Sequence, residues 1–280
     1  MAENNNNSSQ KCVLLVDDNP VNRKVGKVLM EQFQLDCDVA ASGQEALQAL
    51  AEKNYAVILM DCVMPDMDGF ETTMAIRKLE RLKGSYTPII ACTAKCMAGD
   101  IQRCIAAGMD DFIPKPIDKE LLRVKLNHWA KTEVVQQSQV LHKMTSGSTA
   151  VEVDETPTDM AELEEFFGAE ELYSILDTFL QTSEQKLDGM RYCIKERRYE
   201  LVVDLAHELK GASASIGAKD LSRLSLQLEQ AAGAREWREM QSVLERVEVA
   251  FEKLQIFIQD YLRAHSAKVH TTVRQDAWGQ

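Results

Sequence analysis

Four groups of polar residues follow short apolar segments in the first half of the chain. They are the pair Asp17-Asp18, Asp61, Thr93 and Lys115. Because the carboxyl ends of parallel strands converge on one crevice of an α/β sheet, we expect these side chains to share a small volume. Three crowded carboxylates repel one another unless a cation intervenes, and carboxylate oxygens suit a hard ion such as Mg2+. The pattern therefore predicts a site that handles a phosphoryl group.

A second chemically distinctive group surrounds His207. Apolar residues at helical spacing predict the core stripe of its helix: Val202, Leu205, Leu209, Ala212 and Ile216. At about 100° per residue, His207 falls on the opposite face, where we expect it to meet solvent. Lys210 and Gly211 share that face, and the ammonium can screen a phosphoryl group. A glycine in mid-helix costs about 1 kcal/mol relative to alanine, which is understandable if another surface must approach there.

The elements that would position these residues follow two different patterns. Up to about residue 130, strand-like segments alternate with amphipathic ones, and strands are predicted at Cys12–Val16, Cys37–Ala40, Tyr55–Met60, Pro88–Cys92 and Phe112–Pro114. Five such units without hairpin signals predict a doubly wound α/β fold with a five-stranded parallel sheet. From Asp159 the spacing becomes helical, which predicts an all-α antiparallel bundle whose last helix ends near Leu262.

A chain of 280 residues accommodates about two domains. The division we predict is a tail at 1–10, a first domain at 11–131, a linker at 132–158, a helical bundle at 159–265 and a tail at 266–280. The linker is rich in Gln, Ser, Thr and Glu, whereas the segments on both sides carry regular apolar periodicity.

The amino-acid composition limits the kinds of partner that we expect for this chain. The formal net charge of -12 argues against nucleic acid, whose phosphates require a basic surface. No apolar stretch approaches the roughly 20 residues of a membrane span, so we expect no membrane association in this chain. The seven cysteines show no zinc-site spacing, which favours free thiols and a cytoplasmic location.

Five motifs in order resemble the receiver domain of two-component signalling: Val16-Asp17-Asp18-Asn19, Met60-Asp61, Met64-Pro65-Asp66-Met67-Asp68-Gly69, Thr93-Ala94 and Lys115-Pro116. The resemblance implies a flavodoxin-like sheet in which Asp61 accepts a phosphoryl group from a phosphohistidine. It also implies a cis Lys115–Pro116 bond.

The same resemblance implies a Mg2+ site and a conformational switch. The metal ligands would be Asp17, Asp18, Asp61 and the Val63 backbone carbonyl, and Lys115 and Thr93 would contact the acyl phosphate. Thr93 and Phe112 would form the switch. Phe112 is equally well interpreted as a packed core residue.

The segment from Ala206 to Ala218 resembles a histidine phosphotransfer (HPt) domain, as found at the C-terminal end of hybrid sensor histidine kinases. The resemblance implies that His207 carries the phosphoryl group, that Lys210 assists it and that Gly211 permits docking. Glu229 would orient the imidazole, although a solvated glutamate on a helix face explains it equally well.

These resemblances predict a phosphorelay protein. A partner histidine kinase would donate a phosphoryl group to Asp61, and His207 would pass that group to a downstream receiver domain. Whether the protein counts as an enzyme stays open, because no glycine-rich ATP-binding region is present. Two alternatives remain: a C-terminal fragment of a hybrid histidine kinase, and a non-catalytic scaffold that binds receivers or kinases. Whether transfer from Asp61 to His207 occurs within one chain is also open.

Overall fold

The structure, a computed structural model, describes residues 12–93, 98–130 and 157–275. The predicted tail at 1–10, Ala94 and nearly all of the predicted linker lie outside the described residues. The six cysteines within the described ranges are free thiols.

The first domain is the predicted doubly wound α/β fold. Its strands are β1 (Cys12–Val16), β2 (Asp36–Ala40), β3 (Val57–Asp61), β4 (Ile89–Thr93) and β5 (Asp111–Pro114). They form one parallel sheet in the order β2-β1-β3-β4-β5. The helices after them are α1 (Pro20–Gln32), α2 (Gly43–Glu52), α3 (Gly69–Lys83), α4 (Ala98–Ala107) and α5 (Lys119–Trp129). Every residue of β1, β3 and β4 is buried, because helices cover both faces of the sheet.

Local chemistry fixes the helix starts nearest the strand ends. Asn19 caps α1 by accepting a hydrogen bond from the Val21 backbone N–H at 3.0 Å, and proline follows at the first helical position. At the start of α3, a Cβ on Gly69 would lie 2.1 Å from the Asp61 carbonyl oxygen. Only glycine therefore allows α3 to begin this close to the end of β3.

The second domain is helical, as predicted. Its helices are α6 (Met160–Phe167), α7 (Ala169–Lys195), α8 (Tyr199–Ser215), α9 (Lys219–Gly233) and α10 (Trp237–Gln275). The predicted end of the last helix at Leu262 is wrong, because α10 continues to Gln275. Thr158, the last residue of the predicted linker, is buried and donates a hydrogen bond to the Ile216 carbonyl at 2.7 Å.

One residue of the predicted core stripe on α8 is misplaced. Leu205 is only half-buried, and its neighbour Ala206 is fully buried instead. The side chain of Leu205 lies against Gly189 of α7, where a Cβ would be 3.1 Å from it. Leu205 thus covers the edge of the α7–α8 contact, and the other four stripe residues form the core as expected.

The two domains meet along α1. Val21, Val25 and Val28 recur at helical spacing and pack against the apolar core of the bundle, and Val21 is fully buried there. Lys24 Nζ donates to the Ser174 hydroxyl and carbonyl of α7, at 2.5 and 3.1 Å. At the other end of α1, Gln32 donates to the Phe166 carbonyl of α6 at 2.6 Å.

Candidate functional site

The acidic residues predicted from the strand ends do lie together. Carboxylate oxygens of Asp17, Asp18 and Asp61 come within 4.8 Å of one another. Lys115 Nζ lies 2.7 Å from Asp17 Oδ2 and 2.5 Å from Asp61 Oδ2. The arrangement brings three carboxylates and one ammonium into a pocket where both Asp17 and Asp61 are buried.

Backbone and amide groups hold this pocket in shape. Asp17 Oδ1 accepts from the Asn19 N–H at 2.9 Å and from Asn22 Nδ2 at 3.2 Å. Asp61 Oδ1 accepts from the Val63 N–H at 3.2 Å. The Lys115 N–H donates to the Thr93 carbonyl at 2.8 Å, so the register between β4 and β5 delivers the ammonium to the pocket.

The charges in the pocket are unbalanced. Burial raises the pKa of Asp18 to about 7, with further contributions from the carboxylates of Glu208, Asp17 and Asp61. Burial also raises the pKa of Asp61, although Lys115 opposes the change. Burial disfavours the charged ammonium of Lys115, but Asp17 and Asp61 outweigh it and raise the pKa of Lys115. One ammonium, paired with only two of the three carboxylates, leaves an excess of negative charge, and the carboxylate oxygens form a donor set that fits a divalent cation such as Mg2+.

The predicted switch residues lie on the neighbouring strands β4 and β5. Thr93 is buried at the end of β4, and Phe112 is half-buried in β5 with Lys125 Nζ 5.4 Å from its ring centroid. The Lys115–Pro116 bond is cis, as expected. The Val63 side chain is exposed, while its N–H contacts Asp61 as described above. The switching role of Thr93 and Phe112 stays a prediction.

His207 does not face open solvent as expected, because its side chain is only 19% exposed. Its Nδ1 lies 3.2 Å from Glu229 Oε1 of α9 and 3.1 Å from Lys210 Nζ. Lys210 Nζ is also 2.6 Å from Glu229 Oε2. Although burial disfavours a charged carboxylate, hydrogen bonds from His207 and Lys210 lower the pKa of Glu229 to about 2. The three side chains form one compact group.

The first domain lies across a cleft from His207. Residues of both domains line this cleft of about 1990 Å³. They include Asp17, Asp18, Asp61 and Lys115 of the first domain and His207, Glu208, Lys210 and Gly211 of the second. Asn19 Nδ2 donates to the Glu208 carbonyl at 3.0 Å, and Ser215 Oγ donates to Asn22 Oδ1 at 2.9 Å. A Cβ on Gly211 would lie 3.6 Å from Asn22 Nδ2, which is ordinary contact distance. Both predicted phosphoryl-carrying side chains therefore open into the same space.

Sequence reasoning missed the residues that join the two domains. Val21, Asn22 and Ser215 are among the residues that make these contacts, and Glu208 brings a further carboxylate to the cleft. One signal was available: Val21, Val25 and Val28 give α1 an apolar stripe in addition to the residues that it buries against the sheet.

Comparison with protein families assigns each half of the chain to a known kind of domain. The response regulator receiver domain matches residues 13–127. The Hpt domain matches residues 174–264. The chain combines a receiver domain with an Hpt domain. The order of the two domains is the one found in hybrid histidine kinases.

Curated relatives agree with this composition. Hybrid signal transduction histidine kinase B of Dictyostelium discoideum is 44% identical over 114 residues, which are 38% of this chain and 6% of that protein. The histidine-protein kinase BarA of Escherichia coli K12 is 29% identical over 222 residues, which are 78% of this chain and 23% of that protein. The chain thus spans less than a quarter of the length of these relatives. The receiver and Hpt domains support a role in a phosphorelay.

Solved structures resemble single parts of the chain. The receiver domain of sensor histidine kinase PA1611 from Pseudomonas aeruginosa PAO1, with magnesium in its active-site cleft, is 35% identical with a TM-score of 0.40. It covers 44% of this chain and 98% of its own. A co-crystal of Saccharomyces cerevisiae Ypd1 with the Ssk1 receiver domain gives 25% identity and a TM-score of 0.42, over 45% of this chain and 92% of that one. Among the described helices, none has the length and apolar character needed to cross a bilayer.

Proposed function

We propose that this chain takes a phosphoryl group onto Asp61 from the phosphohistidine of a histidine kinase and passes it through His207 to a downstream receiver domain. The observation that carries this proposal is that Asp61 and His207 line the same cleft. The cleft also supports transfer between the two residues within one chain.

Loading would begin with attack of an Asp61 carboxylate oxygen on phosphorus, in line with the bond from phosphorus to the donor imidazole. That bond breaks, and its electron pair returns to the donor nitrogen. Mg2+ held by Asp17, Asp18, Asp61 and the Val63 carbonyl would offset negative charge on the phosphoryl group. Lys115, already in contact with Asp61, would neutralise a phosphoryl oxygen, and the Thr93 hydroxyl would donate a hydrogen bond to another.

The second step would use the free ring nitrogen of His207. Lys210 makes its shorter contact with Glu229 rather than with His207 Nδ1. Glu229 can therefore accept a hydrogen bond from an Nδ1–H of His207. With the proton on Nδ1, Nε2 keeps its lone pair and can attack the phosphorus of the aspartyl phosphate. The oxygen–phosphorus bond then breaks and restores the Asp61 carboxylate. Lys210 would balance the charge that the phosphoryl group brings to His207.

The phosphodonor would be a histidine kinase, either on a separate chain or continuous with this one. The match to BarA includes 78% of this chain, which supports a sensor kinase as the setting. In the part of the chain that the structure describes, no contact specifically favours a purely non-catalytic scaffold.

Transfer from a phosphorylated histidine kinase domain tests the proposal. In the presence of Mg2+ and a separate downstream receiver, wild-type protein should deliver label to that receiver. Asp61→Asn should take up no label from the kinase, and His207→Gln should hold label on Asp61 without delivering it. Asp66→Asn and His128→Gln make the same chemical changes at exposed positions and should behave as wild type. Delivery by the His207→Gln protein would refute the proposed route.

A further inference from the structure

Helix α6 joins the two domains at a point remote from the acidic pocket. It precedes the range that matches the Hpt domain, which begins at residue 174. Phe167 is buried in the core of the bundle, and Tyr261 of α10 donates a hydrogen bond to Glu164 Oε2 at 2.6 Å. These contacts attach α6 to the bundle, although the helix lies outside the matched Hpt range.

Phe166, the residue before Phe167, contacts the receiver domain. Its side chain packs against the core of the bundle and also against the receiver core that α1 and α5 cover. Lys119 Nζ of α5 lies 5.1 Å from the centroid of its ring, which is a cation–π distance. Gln32 Nε2 donates to the Phe166 carbonyl at 2.6 Å, and Gln32 Oε1 accepts from Lys119 Nζ at 2.6 Å. Two linked side chains of the receiver thus hold one aromatic residue of the bundle.

These contacts lie far from the groups that would carry the phosphoryl group. Gln32 ends α1, whereas the acidic pocket lies near the beginning of that helix, about 18 Å away along its axis. At that beginning, Asn19 and Asn22 already contact α8. The α6 contact therefore gives the bundle a second point of attachment, which restrains its rotation about the first.

We propose that α6 is a docking element that selects the receiver domain from which His207 accepts a phosphoryl group. A receiver with side chains like Gln32 and Lys119 at these positions offers both the hydrogen bond and the cation that meet Phe166. A receiver without them still meets α8 at the beginning of α1 but lacks the second attachment. The inference rests on the proposed function, since it concerns transfer to His207. Phe166, Gln32 and Lys119 act in it as positioning residues.

Two measurements on the full chain test this inference. The first is the ratio of docked to undocked molecules without any phosphodonor, obtained by single-molecule energy transfer between dyes on α3 and α10. The second is the rate at which label moves from Asp61 to His207 after a small acyl phosphate has loaded Asp61. The protein is kept dilute, so that label does not pass between chains.

Substitutions on both sides of the contact should weaken docking. Phe166→Ala should lower the docked ratio on the order of tenfold, the scale on which aromatic anchors of interfaces act. Gln32→Ala should lower it about fivefold, as expected for one hydrogen bond lost across an interface. Transfer to His207 should slow in the same order, while loading of Asp61 stays unchanged. Gln32→Ala lies on the receiver, so it tests the contact without altering the bundle core.

A combined variant shows whether the three residues act as a unit. The protein with Gln32→Ala and Lys119→Ala mimics a receiver that lacks both groups. Adding Phe166→Ala to it should lower the docked ratio much less than Phe166→Ala does in the wild type, because residues that share a contact are not additive. A purely structural effect of Phe166 on the bundle would be the same in both backgrounds.

Two matched controls remove similar groups elsewhere. Tyr192→Ala removes an exposed aromatic residue that has Arg198 5.9 Å from its ring centroid, near the end of α7. Gln48→Ala removes an exposed glutamine of α2. Both variants should keep the wild-type docked ratio and the wild-type rate of transfer.

The outcomes distinguish this inference from the proposed function. Docked ratios within about twofold of wild type in both Phe166→Ala and Gln32→Ala proteins would refute the docking role of α6 and leave the relay intact. Full additivity in the combined variant would refute recognition of Gln32 by Phe166. If the wild type docks and loads Asp61 but never passes label to His207, transfer within one chain fails, whereas lowered docked ratios in the variants would still support α6 as a docking element.

Discussion

The burial of Val21 in the bundle gives a quantitative prediction about docking. Val21 belongs to the first domain, yet it is fully buried in the apolar core of the Hpt bundle. Val21→Ala removes two methyl groups from that contact. At about 0.8 kcal/mol for each carbon, docking should weaken by about 1.6 kcal/mol, which is about a 15-fold decrease in the ratio of docked to undocked molecules.

Alanine is a suitable replacement because it leaves the rest of α1 intact. It introduces no charge near the acidic pocket, and it retains the backbone N–H that Asn19 caps. Val124→Ala is the matched control, since it removes the same two methyl groups from an exposed position on α5. Single-molecule energy transfer between dyes on α3 and α10 measures the ratio directly.

Loading and transfer should respond differently to the substitution. A small acyl phosphate donor should still phosphorylate Asp61 in the Val21→Ala protein, because the acidic pocket itself is unchanged. Transfer onward to His207 should slow wherever docking limits the rate. A docked ratio that stays within about twofold of the Val124→Ala value would contradict the burial calculation, since two fully buried methyl groups are worth much more than that.

Three further predictions concern stability and are measured by urea unfolding. Gly69→Ala should destabilise the receiver domain by about 1–3 kcal/mol, because the added Cβ has no space. Gly233→Ala should be neutral or stabilising, because no atom lies within 4 Å of the added Cβ. Equal effects of the two substitutions would contradict the packing argument. Without metal, Asp18 keeps its proton up to about pH 7 in the folded protein but loses it near pH 3.8 in the unfolded chain. The free energy of unfolding should therefore fall by up to about 4 kcal/mol as pH rises from 3.8 to about 7. Saturating Mg2+ should remove this loss, and an unchanged pH profile in Mg2+ would count against the cation site. Glu229→Gln should lower the stability of the bundle by about 1 kcal/mol at neutral pH, after allowance for solvent screening. The difference in stability between variant and wild type should disappear as pH falls from about 4.5 to about 2. If the two proteins instead lose stability in parallel over this range, the contact of Glu229 with His207 and Lys210 is not the origin of the difference.

Much of the fold and the acidic pocket could be predicted because a parallel sheet imposes strong geometry on its sequence. Asp61 ends a strand whose residues are all buried, so its place beside Asp17 follows from strand order alone. His207 was correctly assigned to the face of α8 away from the core. Its limited exposure could not be predicted from the periodicity of α8, because its neighbour Glu229 lies on a different helix.

The contacts between the domains were beyond the reach of local patterns. Helical periodicity identifies Val21 as an apolar residue on one side of α1, but it does not say which structure covers that side. Glu208 is indistinguishable in sequence from a solvated charge beside His207. Only the approach of α8 to the Asp17-Asp18 turn places it opposite the pocket.

The shared cleft has a consequence for the order of events. While the Hpt bundle lies on α1, residues of α8 share the cleft with Asp61, so in the proposed function an incoming kinase would compete with the bundle for access to that side chain. The proposed relay would then require the bundle to move aside for the loading of Asp61 and to return for the transfer to His207. Loading and transfer would alternate in each chain, so that one phosphoryl group is handed over before the next is accepted.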